Sequence, residues 1–288
     1  MCVGQNISLG LSGNSTGSGQ TYQWQSSANI GGPYTNIGSS SSSTALTTPA
    51  TGVLYYRCEV TCSGNSQNST PVLVTPNPAF PGGTYTINSA VATGGTNFQT
   101  FNAFISALNC GIGGAVVVNV APGSGPYNEQ VIFPAVLNTS AANTITINGN
   151  GTTLTYAASV STAPSTLELN GADYLIVNNL NMVGTGTTYA FAAHLWNNAD
   201  NNQFNNCTFT VPANLSTTTV VPFSISGSVS SASTSGSSGI NNVITGCTMN
   251  NGYYGTILVG NSTSAATGNK VVSCQINDQY IYGIYLSY

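Results

Sequence analysis

The feature that most constrains this chain is a repeat in its second half. Four six-residue segments start at Val177, Phe204, Ile244 and Val271, and each carries a small apolar residue at its fourth position. These fourth-position residues are separated by 27, 40 and 27 residues, and they are Leu180, Cys207, Cys247 and Cys274. A fixed period with one apolar position per repeat predicts coils that stack along an axis.

The longer middle interval is explained by a Ser- and Gly-rich stretch at residues 226–239, which we expect to form an extruded loop that restores the register. In stacked coils, equivalent residues lie about 4.8 Å apart. We therefore predict two further inward columns, which start at Val177 and at Met182, and a polar column at one turn. The members of these three columns are Val177, Phe204, Ile244 and Val271; Met182, Phe209, Met249 and Ile276; and Asn202, Asn242 and Asn269.

Stacked turn asparagines and inward aliphatic residues make residues 84–288 resemble the right-handed parallel β-helix of the pectate-lyase-like superfold. The resemblance implies a solenoid over this range. Cys207, Cys247 and Cys274 are then interpreted as small buried hydrophobic residues, with a disulfide between stacked coils as the alternative.

Residues 1–76 show a different pattern, with short alternating runs at residues 4–11, 22–25 and 55–62 that are typical of a small β-sandwich. Residues 77–83 contain two prolines and two glycines, so we place a stiff extended linker there. The fold class predicted for the whole chain is all-β, with the β-sandwich first and the β-helix second.

The first module resembles an immunoglobulin-like domain, because Trp24 and the Tyr56-Arg57-Cys58 run match that fold's buried Trp and its Tyr two residues before the second Cys. Leu11 occupies the position of the first Cys. The module also resembles those of large secreted Bacteroidetes surface proteins, and that resemblance favours a disulfide between Cys2 and Cys62, with Cys2–Cys58 as the alternative. The chain has seven cysteines, so at least one is left without an intrachain partner.

A single amphipathic helix is predicted after the linker. Phe98, Phe101, Phe104 and Leu108 recur at helical spacing, with Asn97 as the N-cap and Gly111 at the end. Because an open coil exposes apolar surface and unpaired strand edges, we expect this helix to cap the N-terminal end of the solenoid.

Charge excludes several partners. Only 3% of the residues are charged, and Arg57 and Lys270 are the only basic side chains apart from one histidine. Nucleic-acid and anionic-lipid binding need clustered Lys and Arg, so neither is expected. The sequence contains no apolar stretch of bilayer length and does not start like a signal peptide, so we expect no membrane insertion. The resemblances imply an extracellular, cell-surface protein that is exported through a C-terminal sorting signal.

Catalysis is not expected, because polysaccharide-cleaving enzymes need paired carboxylates or clustered acids with a basic residue. Asp173 and Asp200 each lie seven residues before a repeat position, so they are expected to stack in adjacent coils. They are weak metal-ligand candidates, and turn capping is the favoured interpretation. His194 is interpreted as a residue of the coil wall. We expect no catalytic residue and no cofactor.

Tyrosines are the best binding candidates. Tyr189, Tyr254 and Tyr282 follow the repeat as Tyr-Ala or Tyr-Gly steps, and Tyr285 lies beyond them. Tyrosines stacked along a solenoid offer a rigid, uncharged surface for glycans or for another protein. The alternative is that they only stabilise the sheet.

These observations predict a non-catalytic surface adhesin or a structural fibre component. The alternative is a fragment of a polysaccharide-binding or polysaccharide-degrading β-helix protein with its catalytic coils elsewhere. Residues 280–288 form a strand pattern without a cap. We expect either further chain or a second copy of the protein to cover that edge, and the second case predicts filaments.

Overall fold

The computed structural model describes residues 1–14, 18–213 and 216–287. Within them the chain divides into two compact units, Met1–Ala79 and Phe80–Tyr288. The division falls inside the predicted linker. The linker residues nevertheless belong to the two units, because Asn77 pairs with Cys2 and Phe80 pairs with Ile112. Tyr288, the last residue of the predicted terminal strand, lies outside the described residues.

The first unit consists of two antiparallel sheets, one made of β1 and β4 and the other ordered β3-β2-β5-β6 with β7 also paired to β5. Trp24 on β2 is buried and lies opposite Cys58 on β5. The strands are β1 Asn6–Gly10, β2 Thr21–Ser27, β3 Thr35–Asn36, β4 Ala45–Pro49, β5 Leu54–Cys62, β6 Asn65–Asn68 and β7 Val72–Val74.

Alternating side chains form the core of the first unit. Trp24 and Cys58 pack with Tyr22, and Leu9 of β1 reaches the same cluster. Burial raises the pKa of the Cys58 thiol, which therefore stays protonated. Cys62 is a free, exposed thiol, so the pairing of Cys2 with Cys62 is wrong. Cys2 is disulfide-bonded, and the alternative pairing with Cys58 is also wrong because Cys58 is a free thiol.

The second unit is a parallel β-solenoid of about seven coils, built from three sheets of eight, six and six strands. The first sheet is ordered β9-β8-β10-β13-β16-β19-β22-β25. The second is ordered β11-β14-β17-β20-β23-β26, and the third β12-β15-β18-β21-β24-β27.

The strands of the solenoid are mostly three to seven residues long, as expected for coil walls. They are β8 Gly83–Ile87, β9 Asn97–Phe98, β10 Val116–Val120, β11 Tyr127–Asn128, β12 Val131–Pro134, β13 Ile145–Asn148, β14 Thr153–Tyr156, β15 Ser165–Asn170, β16 Leu175–Asn178, β17 Asn181–Gly184, β18 Ala190–Trp196, β19 Gln203–Asn205, β20 Thr208–Thr210, β21 Val220–Ile225, β22 Val243–Thr245, β23 Thr248–Asn250, β24 Tyr254–Val259, β25 Lys270–Val272, β26 Gln275–Asn277 and β27 Tyr282–Ser287.

The predicted inward columns are confirmed. Val177, Phe204, Ile244 and Val271 are successive partners in the first sheet, and Met182, Phe209, Met249 and Ile276 are partners in the second. Leu180, Cys207 and Cys247 are buried in the core, and Cys207, Cys247 and Cys274 are free thiols. The interpretation as small buried residues is therefore confirmed for Cys207 and Cys247, whereas Cys274 in the last coil is only partly buried.

The predicted asparagine column is also present. Asn202 Nδ2 donates to Asn242 Oδ1 at 3.0 Å, and Asn242 Nδ2 donates to Asn269 Oδ1 at 3.1 Å. Asn202 and Asn242 are fully buried. Each amide also binds main-chain groups of the neighbouring coil, which satisfies polar atoms that would otherwise be buried without partners.

One α-helix, α1 Phe101–Ala107, lies in the described residues, and a 3₁₀ turn over Leu108–Cys110 follows it. Its N-cap is Thr100, whose side chain accepts a hydrogen bond from Ala103 N, so the prediction of Asn97 is wrong. Phe98 and Asn97 form β9 instead, because Asn97 pairs with Thr86 of β8. The Glu129 carboxylate accepts hydrogen bonds from the first amides of the helix. A capping role for α1 remains a prediction.

Candidate functional site

Five tyrosines from the last two described coils form one cluster, which we call the tyrosine cluster. Its members are Tyr253, Tyr254, Tyr280, Tyr282 and Tyr285. The rings of Tyr254 and Tyr282 stack with centroids 6.1 Å apart and planes inclined by 10°. Tyr285 lies 4.9 Å from Tyr254, and Tyr280 stacks on Tyr253 at 5.6 Å. More than half of the surface of Tyr280 and of Tyr282 is exposed.

The parallel register of β24 and β27 produces this cluster, because Tyr254 and Tyr282 are direct partners and Ile257 is the partner of Tyr285. Tyr254 and Tyr282, which are the first residues of β24 and β27, are each followed by a glycine. A Cβ atom at Gly255 would collide with the Ile276 side chain and with the Gly283 carbonyl oxygen, so only glycine fits there. The Tyr254-Gly255 step therefore places an aromatic ring on the outer face next to a position that has no room for a side chain.

Tyr254, at the centre of the cluster, is uncharged at neutral pH. Burial, and then the neighbouring tyrosines, raise the pKa of the Tyr254 hydroxyl, so it stays protonated. A protonated phenol offers one donor and one acceptor beside an apolar ring.

Apolar side chains continue the tyrosine cluster along the outer face of the third sheet. Tyr254 and Tyr285 pack on a group that contains Phe191, Val221 and Ile257. Phe191 pairs with Val221, and the register of β21 with β24 brings Val221 next to Tyr254. The cluster is thus the exposed end of a longer apolar strip.

Residues 227–239, which we call the strap, cover this strip. Ala232 of the strap is buried against Phe191, Val221 and Ile257. The prediction of an extruded loop is therefore wrong in one respect: the segment lies on the sheet instead of projecting from it. The reason is the apolar outer face of β18, β21 and β24, which needs a cover.

A buried polar group lies beside the strip. His194 Nε2 is 2.8 Å from Ser226 Oγ, and the serine hydroxyl donates to the strap carbonyl of Ser231 at 2.7 Å. Glu168, the register partner of His194, accepts a hydrogen bond from the Trp196 indole. Burial lowers the pKa of His194 to about 3 and raises the pKa of Glu168. His194 lies in a coil wall, as predicted, but its hydrogen bond to Ser226 was not anticipated.

The predicted site residues are only partly brought together. Tyr254, Tyr282 and Tyr285 meet, whereas Tyr189 lies one residue before β18 and makes no ring contact in the part of the chain that the structure describes. Phe191 occupies the corresponding place in that coil. Sequence reasoning missed Tyr253, although its position next to Tyr254 is a detectable signal.

Asp173 and Asp200 stack in adjacent coils as predicted, because Asp173 Oδ1 accepts a hydrogen bond from Asp200 N at 2.7 Å. Asp200 Oδ1 accepts one in turn from Ile240 N at 2.8 Å. Burial raises the pKa of both carboxyls. Both groups act as turn acceptors for the next coil. Within residues 1–14, 18–213 and 216–287, no three His, Cys, Asp or Glu side chains come together as a metal site.

One basic residue has a defined contact in the first unit. The Arg57 guanidinium lies 3.9 Å from the centre of the Tyr34 ring, and its Nε donates to Gln25 Oε1. This cation–π contact holds the Tyr34 ring against β5.

Comparison with known proteins gives one match. Residues 1–78 match the family model described as a domain of unknown function, DUF8696. No curated protein and no solved structure matches the chain. The match covers the first unit. In addition, none of the helices in the described residues is both long enough and apolar enough to cross a bilayer.

Proposed function

We propose that this protein is an extracellular, non-catalytic adhesin of the cell surface that binds uncharged glycans through the tyrosine cluster. The observation that carries the proposal is the convergence of five tyrosine rings on one outer face, with Tyr280 and Tyr282 more than half exposed. The immunoglobulin-like first module would act as a spacer, and the solenoid would hold the binding surface.

The chemistry of the cluster suits sugar rings. The apolar faces of tyrosine rings pack against the C–H faces of a sugar, and the phenol hydroxyls exchange hydrogen bonds with sugar hydroxyls. The stacked rings are held by the parallel register of β24 and β27, so little side-chain entropy is lost on binding. The composition fits an uncharged ligand, because only 3% of the residues carry charge.

The test uses the double variant Tyr254→Ala and Tyr282→Ala. Binding to a panel of neutral polysaccharides is measured by isothermal titration calorimetry, after a glycan array has selected the best binder. We expect at least about tenfold weaker binding, which corresponds to about 1.4 kcal/mol.

Tyr189→Ala is the matched control, since it removes a tyrosine of the same unit that lies outside the cluster. It should leave the affinity unchanged. Circular dichroism and the melting temperature establish that each variant is folded. Equal affinity of the double variant and the wild type, or no binding to any neutral glycan, would overturn the proposal.

A second function, end-to-end self-association, is favoured by a different observation. Strand β27 pairs with β24 on one side and has no strand on its other side within the described residues, and Ile284 and Leu286 are exposed there. An unpaired strand edge with apolar side chains is a template for another strand. A second copy of the chain would then be the partner. Pairing through this edge alone joins two copies as a dimer, and filaments would also need an open edge at the end of the solenoid where α1 lies.

A further inference from the structure

The strap is held to the solenoid by few contacts. Among its described residues, Ala232 is the one hydrophobic side chain that is buried, and a single methyl group contributes little apolar burial. Its other residues are mainly Ser and Gly, whose backbones lose conformational entropy on ordering without adding apolar burial. A segment of this composition is weakly fixed in place.

Two hydroxyls of the third sheet attach the middle of the strap. Its C-terminal end is held separately, because Asn198 N donates to Ser237 O at 2.9 Å and Asn269 Nδ2 donates to Gly239 O at 3.1 Å. Ser226 Oγ donates to Ser231 O at 2.7 Å, and Ser224 Oγ donates to Ala232 O at 3.3 Å. His194 supports the first of these bonds: Ser226 gives its hydrogen to the strap, so the imidazole Nε2–H donates to Ser226 Oγ. We call these two serine hydroxyls the latch.

The two ends of the strap approach each other closely. The Cα atoms of Gly227 and Gly236 are so near that a Cβ atom on Gly227 would lie 2.5 Å from Gly236 Cα. Gly227 N also donates to Thr234 O at 2.7 Å. A compact loop with a glycine neck can leave the sheet as a unit, because the glycines absorb the change in backbone angles.

The surface below the strap is of the same kind as the tyrosine cluster. Phe191, Val221 and Ile257 are completely buried under the strap and belong to the group on which Tyr254 and Tyr285 pack. Beside them lie the hydroxyls of Ser224 and Ser226. An aromatic ring with adjacent hydroxyl groups repeats the chemistry that suits an uncharged sugar.

We propose that the strap is a displaceable cover, and that its removal extends the glycan-binding surface from the tyrosine cluster to Phe191 and Val221. The inference rests on the proposed function for the identity of the ligand. The displacement itself is independent of the ligand.

The decisive variant replaces residues 227–238 with Asn-Asn, the dipeptide at positions 197–198 in the preceding coil, and keeps Gly239, because a Cβ atom there would collide with Ala199 O. Register supports this design, because Leu195 pairs with Ile225 and Asn202 binds Asn242, so positions 197–199 correspond to the strap. We expect a folded solenoid that binds the selected neutral polysaccharide at least about tenfold more tightly. A folded variant with wild-type affinity would overturn the proposal.

A second variant keeps the strap and removes part of the latch. Ser226→Ala should speed hydrogen exchange of the amides in residues 227–239 by at least about fivefold. Ser233→Ala, the same change at an exposed strap position, should leave the exchange rates unchanged. Strap amides that exchange at the wild-type rate in Ser226→Ala would contradict the proposal that the strap is a displaceable cover.

The two proposals fail in distinguishable ways. If Tyr254→Ala with Tyr282→Ala abolishes binding while the strap replacement leaves the affinity unchanged, the cluster is the site and the cover is wrong. If the wild type binds no neutral glycan, the proposed function is wrong, and the exchange measurement still decides whether the strap is displaceable.

Discussion

At the scale of single residues, the burial of His194 makes the stability of the protein sensitive to acid. The pKa of His194 is lowered to about 3 by burial, whereas an unfolded histidine titrates near its ordinary value of about 6.5. At a pH between these two pKa values, His194 is protonated in the unfolded state and neutral in the folded state. The free energy of unfolding should therefore fall as the pH drops below about 6.5, by up to about 1.4 kcal/mol per pH unit.

Urea unfolding of the wild type and of His194→Gln at pH 7, 5.5 and 4.5 checks this expectation. Glutamine keeps an N–H donor for Ser226 and has no proton to gain. Glu168 acts in the opposite direction, since burial raises its pKa and its contribution is lost as the pH rises. The difference between the two proteins isolates His194. An identical pH dependence of both would show that His194 is not responsible.

The sequence predicted which residues pack in the core better than it predicted which residues bond to each other. Cys207 and Cys247 were placed in the core because they occupy an apolar position of the repeat, and the structure agrees. The partner of Cys2 could not be found in this way, because a disulfide depends on distances that sequence spacing does not give. The contact between His194 and Ser226 was hidden for the same reason: the two residues are 32 positions apart.

At the scale of elements, the asparagine column should make a large contribution to stability. Asn242 Oδ1 accepts hydrogen bonds from Asn202 N and Nδ2, and Asn242 Nδ2 donates to Ala199 O. Asn242→Ala leaves these buried groups without partners and should cost about 2–4 kcal/mol.

Chemical denaturation measures that loss. Asn277→Ala is the control, because Asn277 is exposed and makes one side-chain bond to Asn250; its cost should stay below about 0.5 kcal/mol. If both variants lose the same free energy, the column has no special role in holding the coils together.

The sequence predicted four of the about seven coils. The earlier coils were predicted only as part of the range 84–288, and their individual repeats were not identified because their spacing differs. Val118, Ile147 and Val177 are successive partners at 29 and 30 residues, and these coils lack the Cys position. Turns between the second and third sheets also vary in length. Tyr189 was therefore assigned to the wrong column, two residues before Phe191.

The same variation explains the coil between Cys207 and Cys247, which is longer than the coil before it by 13 residues. Leu195 pairs with Ile225, and Asn202 binds Asn242. This register assigns three of the extra residues to the turn before β21 and ten to the strap region. Sequence composition located the second part because it is Ser- and Gly-rich. The first part has no such signal.

At the scale of the whole molecule, the open edge at β27 predicts concentration-dependent association of the 288-residue chain. Ile284→Lys with Leu286→Lys places two charges on that edge and should weaken association at least about tenfold, because charged side chains oppose strand pairing.

Sedimentation velocity over a range of protein concentrations provides the measurement. Ser159→Lys with Thr162→Lys adds the same charge to exposed positions between β14 and β15, several coils away from β27, and should leave association unchanged. A wild-type chain that sediments as a monomer at all concentrations would exclude self-association through this edge.

The strap has a consequence for how such a protein can diversify. The coils before and after it keep the same inward columns, so in-frame insertions at this turn change the outer face without touching the core. A gene that gains or loses a few codons here would acquire a differently shaped outer face in a single step. Residues 227–239 are accordingly the natural place to graft a foreign peptide onto this scaffold.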